Sequence, residues 1–222
     1  VRLRDTQCGL FATGKVLRRF GVPFTYITNS RLDDPVFERG IRDFLAVCNV
    51  VKIFRSIRIL QISTRPYDFW TTMCNEGELL EKFNVQLSPI PMPELTEEIK
   101  RVKSEGSETA EVVRYCRSHM KIDIDDTALE NVAALKVAMK HLAGKYGCGA
   151  IAIQCWNQLQ NEIGIMPCAA NALLSEEGIP VVCETDIHGA ITSLLVEAAG
   201  MGEMRSFFAD WTIRHPDIEN GE

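Results

Sequence analysis

The sequence lacks the features that would place a protein in or on a membrane. No run of about 18 apolar residues occurs that could span a bilayer. The first residues, Val1 to Asp5, lack the apolar core of a signal peptide. Lysine and arginine never occur in runs longer than a pair, and the formal net charge is −6. The sequence therefore predicts no membrane partner and no nucleic-acid partner.

The sequence also lacks the glycine-rich motifs of nucleotide-binding proteins. No G-x-G-x-x-G follows a predicted strand, and no G-x-x-x-x-G-K-[ST] occurs. It shows no nucleophile elbow and no local catalytic triad pattern. Its eight cysteines include no C-x-x-C, and several lie within apolar runs. Scattered cysteines of this kind are typical of a reducing compartment, so we expect a cytoplasmic protein. The charge leaves sugars and other small metabolites open as ligands.

What the sequence does contain is an alternation of short apolar runs and helical stretches. Its 222 residues are 46% apolar, enough for one large or two modest cores. The alternation predicts the α/β class: Rossmann-like parallel sheets with helices on both faces, in more than one domain. The predicted strands lie at 23–28, 57–63, 85–90, 150–156, 179–184 and 206–211, and the predicted helices at 8–20, 35–48, 94–102, 108–120, 128–145, 167–174 and 187–199. Residues 157–165 are predicted to form a polar loop.

The order of these elements predicts three pieces. Residues 1–55 are expected to end a first α/β domain, residues 56–178 to form a complete Rossmann-like domain, and residues 179–222 to begin a C-terminal catalytic domain. The chain begins without methionine and ends in a polar tail. We therefore expect it to be a fragment of a longer protein.

Two helices have recognisable capping residues at their starts. Asp34 precedes Pro35, which suits an N-cap followed by the first helical residue. Thr127, followed three residues later by Glu130, is predicted to form a capping box for the helix at 128–145.

The most informative pattern is a pair of carboxylates at predicted strand ends. Glu184 and Asp210 each follow a short apolar run, and the residues between the two runs have helical spacing. In a strand–helix–strand unit the strands are parallel, so both carboxylates are predicted at the rim where α/β proteins bind ligands. Neighbouring carboxylates repel unless a cation such as Mn²⁺ or Mg²⁺ lies between them. The alternative is that Glu184 caps the next helix and Asp210 ends a strand in solvent.

The motif Glu-Thr-Asp-Ile-His-Gly-Ala at 184–190, followed by Phe-Ala-Asp-Trp at 208–211, resembles the metal site of the L-fucose isomerase and L-arabinose isomerase superfamily. The likeness extends from about residue 58 to residue 222 in the order and lengths of the elements. It implies a metal-dependent aldose–ketose isomerase for a pentose or a 6-deoxyhexose of the L-fucose or L-arabinose type. The resemblance also implies association of subunits into a homo-oligomer.

The resemblance implies a role for each carboxylate. Glu184 and Asp210 would be ligands of Mn²⁺ or another divalent cation, and catalytic residues that move a proton through an enediol. The superfamily's third ligand is a histidine in a C-terminal domain, so we expect it beyond Glu222. His215 lies too close to Asp210 in sequence to be assumed its replacement. We therefore expect the 222-residue chain alone to be inactive or nearly so.

Substrate-binding residues are expected near the end of the strand at 150–156. The superfamily has an amide there that reaches the substrate, and Gln154, Trp156 and Gln158 lie at about that place. An indole suits the apolar face of a sugar and amides suit its hydroxyl groups, although Trp156 could instead plug the edge of the sheet. His188, four residues after Glu184, is a further candidate, with an ordinary first-turn helix residue as the alternative.

The competing function is a non-catalytic sugar-binding or regulatory α/β module, which shares this architecture. Arg65, in the loop after the predicted strand at 57–63, and Asn75-Glu76, on a predicted helix that runs to about Phe83, are expected to face a ligand cleft, with a solvated loop as the alternative. A binder of neutral sugars does not require an acidic pair, so Glu184 and Asp210 favour the isomerase.

Overall fold

The computed structural model describes residues 4–210 and Pro216. Trp211, which ends the last predicted strand, and His215 lie outside the described residues. The chain divides into two compact units, Val1–Lys52 and Ile53–Glu222. The three predicted domains, with boundaries at 55/56 and 178/179, stay predictions.

The first unit contains helix α1 (Arg4–Arg19) and most of helix α2 (Pro35–Phe54), whose last two residues belong to the second unit, with a connection between the two helices. The start of α2 is as predicted, because the Asp34 carboxylate accepts a hydrogen bond of 2.8 Å from the Val36 amide. The predicted strand at 23–28 is wrong: this segment forms no ladder with another strand in the described part of the unit. A strand requires a neighbouring backbone for its N–H and C=O groups.

The second unit is built on a four-stranded parallel sheet in the order β2-β1-β3-β4. The strands are β1 (Arg58–Ile62), β2 (Gln86–Ile90), β3 (Ala150–Ile153) and β4 (Val181–Val182). Its helices are α3 (Glu76–Phe83), α4 (Met92–Glu105), α5 (Ser107–His119), α6 (Asp126–Tyr146), α7 (Gln158–Ile163), α8 (Cys168–Glu176) and α9 (Ile187–Ala199). A short 3-10 turn, Trp70–Thr72, follows β1.

Helices cover both faces of this sheet, which confirms the predicted α/β class. Side chains alternate along each strand, so β1 directs Leu60 and Ile62 to one face and Ile59 to the other. The first face packs against α4, α6 and α8, and the second packs against α3 and α9. Strands buried on both faces are typical of parallel sheets and explain the continuous apolar runs in the sequence. None of the described helices is both long and apolar enough to cross a membrane.

Helix α6 begins two residues earlier than its predicted capping box. The Asp125 carboxylate accepts a hydrogen bond of 2.7 Å from the Ala128 amide, and the backbone of Asp125 is extended. Thr127 already lies inside the helix, so the predicted box formed by Thr127 and Glu130 is wrong. The aspartate wins because an N-cap residue must be extended while its side chain reaches the amide of the second or third helical residue.

This difference yields a test of the capping residue. Asp125→Ala is expected to lower the free energy of unfolding by about 1 kcal/mol, because it leaves an amide at the helix start without its acceptor. Thr127→Ala, at an exposed position two residues on, is the matched control and should change it by less than about 0.5 kcal/mol. Urea denaturation of both variants measures the difference. Equal losses would show that the threonine caps the helix after all.

The polar loop predicted at 157–165 is wrong, because most of it is helix α7. Leu159 is fully buried and packs into the core below α6, and Gly164 ends the helix with a positive φ of 74°. A single buried leucine among polar residues gives too short a pattern to reveal a six-residue helix.

The last predicted strand, at 206–211, is also wrong over its described residues, which form no ladder. The Ser206 amide and hydroxyl both donate to the Glu197 carboxylate of α9, at 3.0 and 2.8 Å. Further on, the Phe208 ring lies so close to Gly189 that a Cβ there would be 3.0 Å from it. The segment therefore runs back along α9, held by a side chain and an aromatic contact rather than by strand pairing.

Candidate active site

The carboxyl ends of β1, β3 and β4 meet at one rim of the sheet. In the sheet, β1 lies between β2, the next strand along the chain, and β3. This is a topological switch point, where the loops diverge and leave a crevice that binds ligands in doubly wound folds. Ser63, Gln154 and Glu184 stand within two residues of these three strand ends.

Backbone strain is concentrated at this rim. Six non-glycine residues in the described part of the chain have positive φ. Four of them follow these strands: Ser63 (65°), Asn157 (28°), Glu184 (53°) and Thr185 (56°). Hydrogen bonds fix these backbone conformations at two of the four positions. The Ser63 amide donates to Ile90 O at 2.8 Å, and the Thr185 amide donates to Ile153 O at 3.1 Å. Such conformations cost free energy and tend to cluster where a binding site dictates the backbone.

Glu184 is the buried acid of this rim, with only 9% of its surface exposed. The Cys155 thiol donates to its Oε1 at 3.1 Å, and the Thr72 hydroxyl donates to its backbone carbonyl at 3.3 Å. In the described part of the chain no lysine or arginine pairs with Glu184. Burial, the Cys155 contact and the charges of Asp210 and Asp186 raise its pKa to about 8.

Two cysteines accompany Glu184, and the sequence did not single them out. The Cys183 thiol donates to Cys155 and lowers the pKa of Cys155 to about 6, with help from the Glu184 amide and side chain. The same contact and burial raise the pKa of Cys183. Cys155 and Glu184 therefore hold one proton between them near neutral pH. Cys155, Cys183 and Glu184 each offer an atom within 4.8 Å of the others, a spacing that suits a metal ion.

The structure brings the two predicted glutamines together. The Ser63 hydroxyl donates to Gln154 Oε1 at 2.6 Å and lies 3.4 Å from Gln158 Oε1. Because both amide oxygens face this hydroxyl, the NH₂ ends are the ones directed to other acceptors.

Trp156 lies beside these amides with 51% of its surface exposed. Its ring centroid is 6.4 Å from that of Phe69, in the loop after β1. Trp70 of the same loop is 68% exposed. The rim therefore presents aromatic faces to solvent next to polar groups.

The remaining predicted residues occupy different positions. Asp210 is exposed, and its charge is among those that raise the pKa of Glu184, so the two carboxylates act on one another electrostatically. His188 is exposed in the first turn of α9. The Arg65 guanidinium donates to the carbonyls of its own loop, at Pro66 and Tyr67. Asn75 caps α3 by accepting from the Glu78 amide at 3.1 Å.

The donor set fits a divalent cation. A buried carboxylate with neighbouring acids gains from a positive ion, because the ion offsets the negative charges that contribute to its raised pKa. The sequence predicts Glu184 and Asp210 as the oxygen donors for a hard ion such as Mn²⁺. These roles stay predictions for both residues.

Comparison with known proteins places these features in context. Residues 1–55 match the family described as fucose/sulfoquinovose isomerase, N-terminal domain. A sulfoquinovose isomerase from Alkalicoccus urumqiensis is 27% identical over 195 residues, which are 86% of this chain and 43% of that protein. One from Priestia aryabhattai is 27% identical over 201 residues, 90% of this chain and 45% of that protein.

A third sulfoquinovose isomerase, from Clostridium sp. (strain MSTE9), is 26% identical over 219 residues, 94% of this chain and 46% of that protein. The chain thus spans less than half the length of the curated relatives it matches. Over most of its own length it is similar to sulfoquinovose isomerases, and its first 55 residues match a fucose/sulfoquinovose isomerase domain, which confirms the predicted resemblance to the L-fucose isomerase superfamily.

Proposed function

We propose that this chain supplies catalytic residues of an aldose–ketose isomerase, which moves a proton between neighbouring carbons of a sugar. The observation that carries the proposal is Glu184: a buried carboxyl group with a pKa of about 8, at the switch point of a parallel sheet. A group that both takes and gives a proton works best when its pKa lies near the working pH.

Glu184 removes the proton from the carbon next to the carbonyl and returns it to the carbonyl carbon. The first step yields an enediol as the carbonyl oxygen takes up a proton. In the second step the neighbouring hydroxyl oxygen gives up its proton and becomes the ketose carbonyl, so the sugar neither gains nor loses protons or electrons overall. A bound divalent cation, for which Mn²⁺ is our proposal, would polarise the carbonyl and hydroxyl oxygens. Glu184 and Asp210 would hold it. In the metal-free chain, the charge of Asp210 is one of the causes that raise the Glu184 pKa.

The amides and the indole bind and orient the sugar. Gln154 and Gln158 donate to its hydroxyl groups through their NH₂ ends, since their oxygens face Ser63. Trp156 lies under an apolar face of the ring. His188, exposed at the start of α9, contributes a more distant polar contact.

We propose a pentose or a 6-deoxyhexose as the substrate. The names of the relatives favour the 6-deoxyhexose class, because sulfoquinovose is a 6-deoxyhexose that carries a sulfonate. The test is exchange of the C1 and C2 protons in D₂O, followed by NMR with sulfoquinovose, L-fucose and L-arabinose, in the natural protein that contains this chain. Exchange with one of these sugars supports the proposal. Saturable binding with no exchange at any pH would identify a non-catalytic sugar-binding module instead.

Metal binding by residues 1–222 is expected to be weak, because two carboxylates leave most of the water on the ion. The chain alone should for the same reason show little isomerase activity. Asp210→Asn is expected to weaken Mn²⁺ binding further, by about 10-fold or more, measured by electron paramagnetic resonance of the free ion.

The matched control for this change is Asp186→Asn. Asp186 also lies near Glu184, but its side chain caps α9 by accepting from the Gly189 amide at 3.0 Å. Asparagine keeps that cap while the charge is lost. If the two variants weaken Mn²⁺ binding equally, Asp210 acts only through its charge and is not a ligand.

A further inference from the structure

Three donors of the candidate site have the spacing of a soft-metal site. Cys155 Sγ lies 3.1 Å from Glu184 Oε1, and Cys155 Sγ, Cys183 Sγ and a Glu184 oxygen all lie within 4.8 Å of one another. Zinc–sulfur bonds of about 2.3 Å and zinc–oxygen bonds of about 2.1 Å put tetrahedral ligand atoms under 4 Å apart. One ion therefore fits between these atoms after a small adjustment of the side chains.

A fourth side chain points to the same place. Asn171 of α8 is 6% exposed, and its Nδ2 donates to Cys183 Sγ at 3.5 Å. Its Oδ1 is buried and has no hydrogen-bond partner in the described part of the chain. A buried carbonyl without a partner costs free energy, and a half turn of the amide would place Oδ1 beside Cys183. The unpaired oxygen is thus an additional donor at the edge of the cluster.

The cluster is held rigidly and can be reached from outside. Cys155 and Cys183 follow neighbouring strands β3 and β4, whose register is fixed by ladder hydrogen bonds, and α8 packs against β4 and α6. A cavity of about 290 Å³, lined by Cys168, Asn171, Cys183 and Phe208 among others, reaches two members of the cluster, Asn171 and Cys183. Donors fixed by strands and helices favour a defined geometry, and the cavity provides an entry path.

We propose that Cys155, Cys183 and Glu184, with Asn171 as the nearest further donor, bind a thiophilic divalent cation of the Zn²⁺ class. Sulfur donors favour such ions over Mn²⁺ and Mg²⁺, which prefer oxygen. The two metal sites therefore share Glu184 but differ in their other donors. An ion on the thiols would hold Glu184 and inhibit proton transfer. This consequence rests on the proposed isomerase function, whereas the binding itself does not.

The binding is tested by titrating metal-free chain with Co²⁺ and then displacing Co²⁺ with Zn²⁺. Wild-type chain should show the near-ultraviolet charge-transfer absorption of a cobalt–thiolate bond. Cys155→Ser and Cys183→Ser should each lower the affinity by about 10-fold or more. Cys116→Ser is the matched control, since Cys116 is as buried as Cys155, at 2% exposed, and lies in a separate cluster on α5.

Two measurements keep the result clear if a variant folds poorly. In wild-type chain, Zn²⁺ should slow alkylation of Cys155 and Cys183 but not of the exposed Cys8, as read by peptide mass spectrometry. Asp210→Asn should weaken Mn²⁺ binding and leave Co²⁺ binding unchanged. Absence of charge-transfer absorption in folded chain, or equal alkylation with and without Zn²⁺, would overturn the site. Zn²⁺ binding without inhibition of the isomerase would overturn only the role of Glu184 in proton transfer.

Discussion

Glu184→Gln is expected to lower isomerase turnover by about 10² to 10⁴-fold, the usual contribution of a positioned acid–base group. Glutamine has nearly the same shape and can still accept from the Cys155 thiol, but it cannot take a proton from carbon. Turnover is measured by proton exchange in the natural protein that contains this chain. Glu162→Gln, at an exposed position on α7, is the control and should leave turnover unchanged.

In wild-type chain, the free energy of unfolding is expected to fall as pH rises, and Glu184→Gln should remove this fall. In metal-free folded protein the pKa of Glu184 is about 8, above the value of about 4.3 in an unfolded chain. As pH rises from about 4, the unfolded chain releases this proton and the folded protein keeps it, so the free energy of unfolding falls. Above about pH 6 the lowered pKa of Cys155 makes the folded protein release a proton as well, and the fall stops.

The expected loss in the wild-type chain is roughly 2 kcal/mol between about pH 4 and pH 6. Urea denaturation with a chelator present measures it, and Glu184→Gln should show no such loss. A variant that is inactive and also less stable than wild type at pH 6 would indicate that Glu184 supports the fold rather than the chemistry.

Leu135→Ala is expected to lower the free energy of unfolding by about 2–5 kcal/mol, the largest loss of stability predicted for this protein. Leu135 is fully buried on α6, the helix that packs against α4, α5 and α8 and against two strands. Removing its side chain leaves a cavity that these neighbours cannot fill together. Calorimetric or urea unfolding gives the measurement.

Leu80→Ala is the control for this core substitution. Leu80 lies on α3 with 49% of its surface exposed, so the same chemical change removes little buried area. A loss below about 1 kcal/mol is expected there. Comparable losses at both positions would mean that α6 is not the centre of the core.

The sequence predicted the fold well where apolar periodicity is continuous. The helix at 187–199 has the predicted bounds, and β1, β2 and β3 lie within the predicted strands. The failures have local causes. The segment at 206–210 is apolar like a strand, yet Glu197 takes the hydrogen bonds of Ser206. Such a side-chain acceptor, nine residues earlier in the chain, leaves no pattern in the sequence.

The candidate site was predictable in its acid and its amides but not in its thiols. Glu184 follows one apolar run, and Gln154 and Gln158 follow another. The apolar runs therefore predict that these residues lie at strand ends. Each of Cys155 and Cys183 lies in an apolar run, so the sequence suggests only small apolar residues there. They are 28 positions apart, and nothing in the sequence fixes the register of β3 against β4 that brings them together. The interaction appears only when Ile151 pairs with Val181.

The central pairing of the sheet sets when the site can exist during folding. β1 pairs with β3 in the sheet, with Ile59 opposite Ala150. Along the chain, however, β2 and three long helices lie between the two strands. Closing a loop of this length costs chain entropy before any contact repays it, so the helices and the β1–β2 pair can form early and the β1–β3 pair late. Ser63 and Gln154, 91 residues apart in the chain, then meet only when β1 and β3 pair. Partly folded chains would therefore hold an ordered helical layer but neither the amide pair nor the ordered rim.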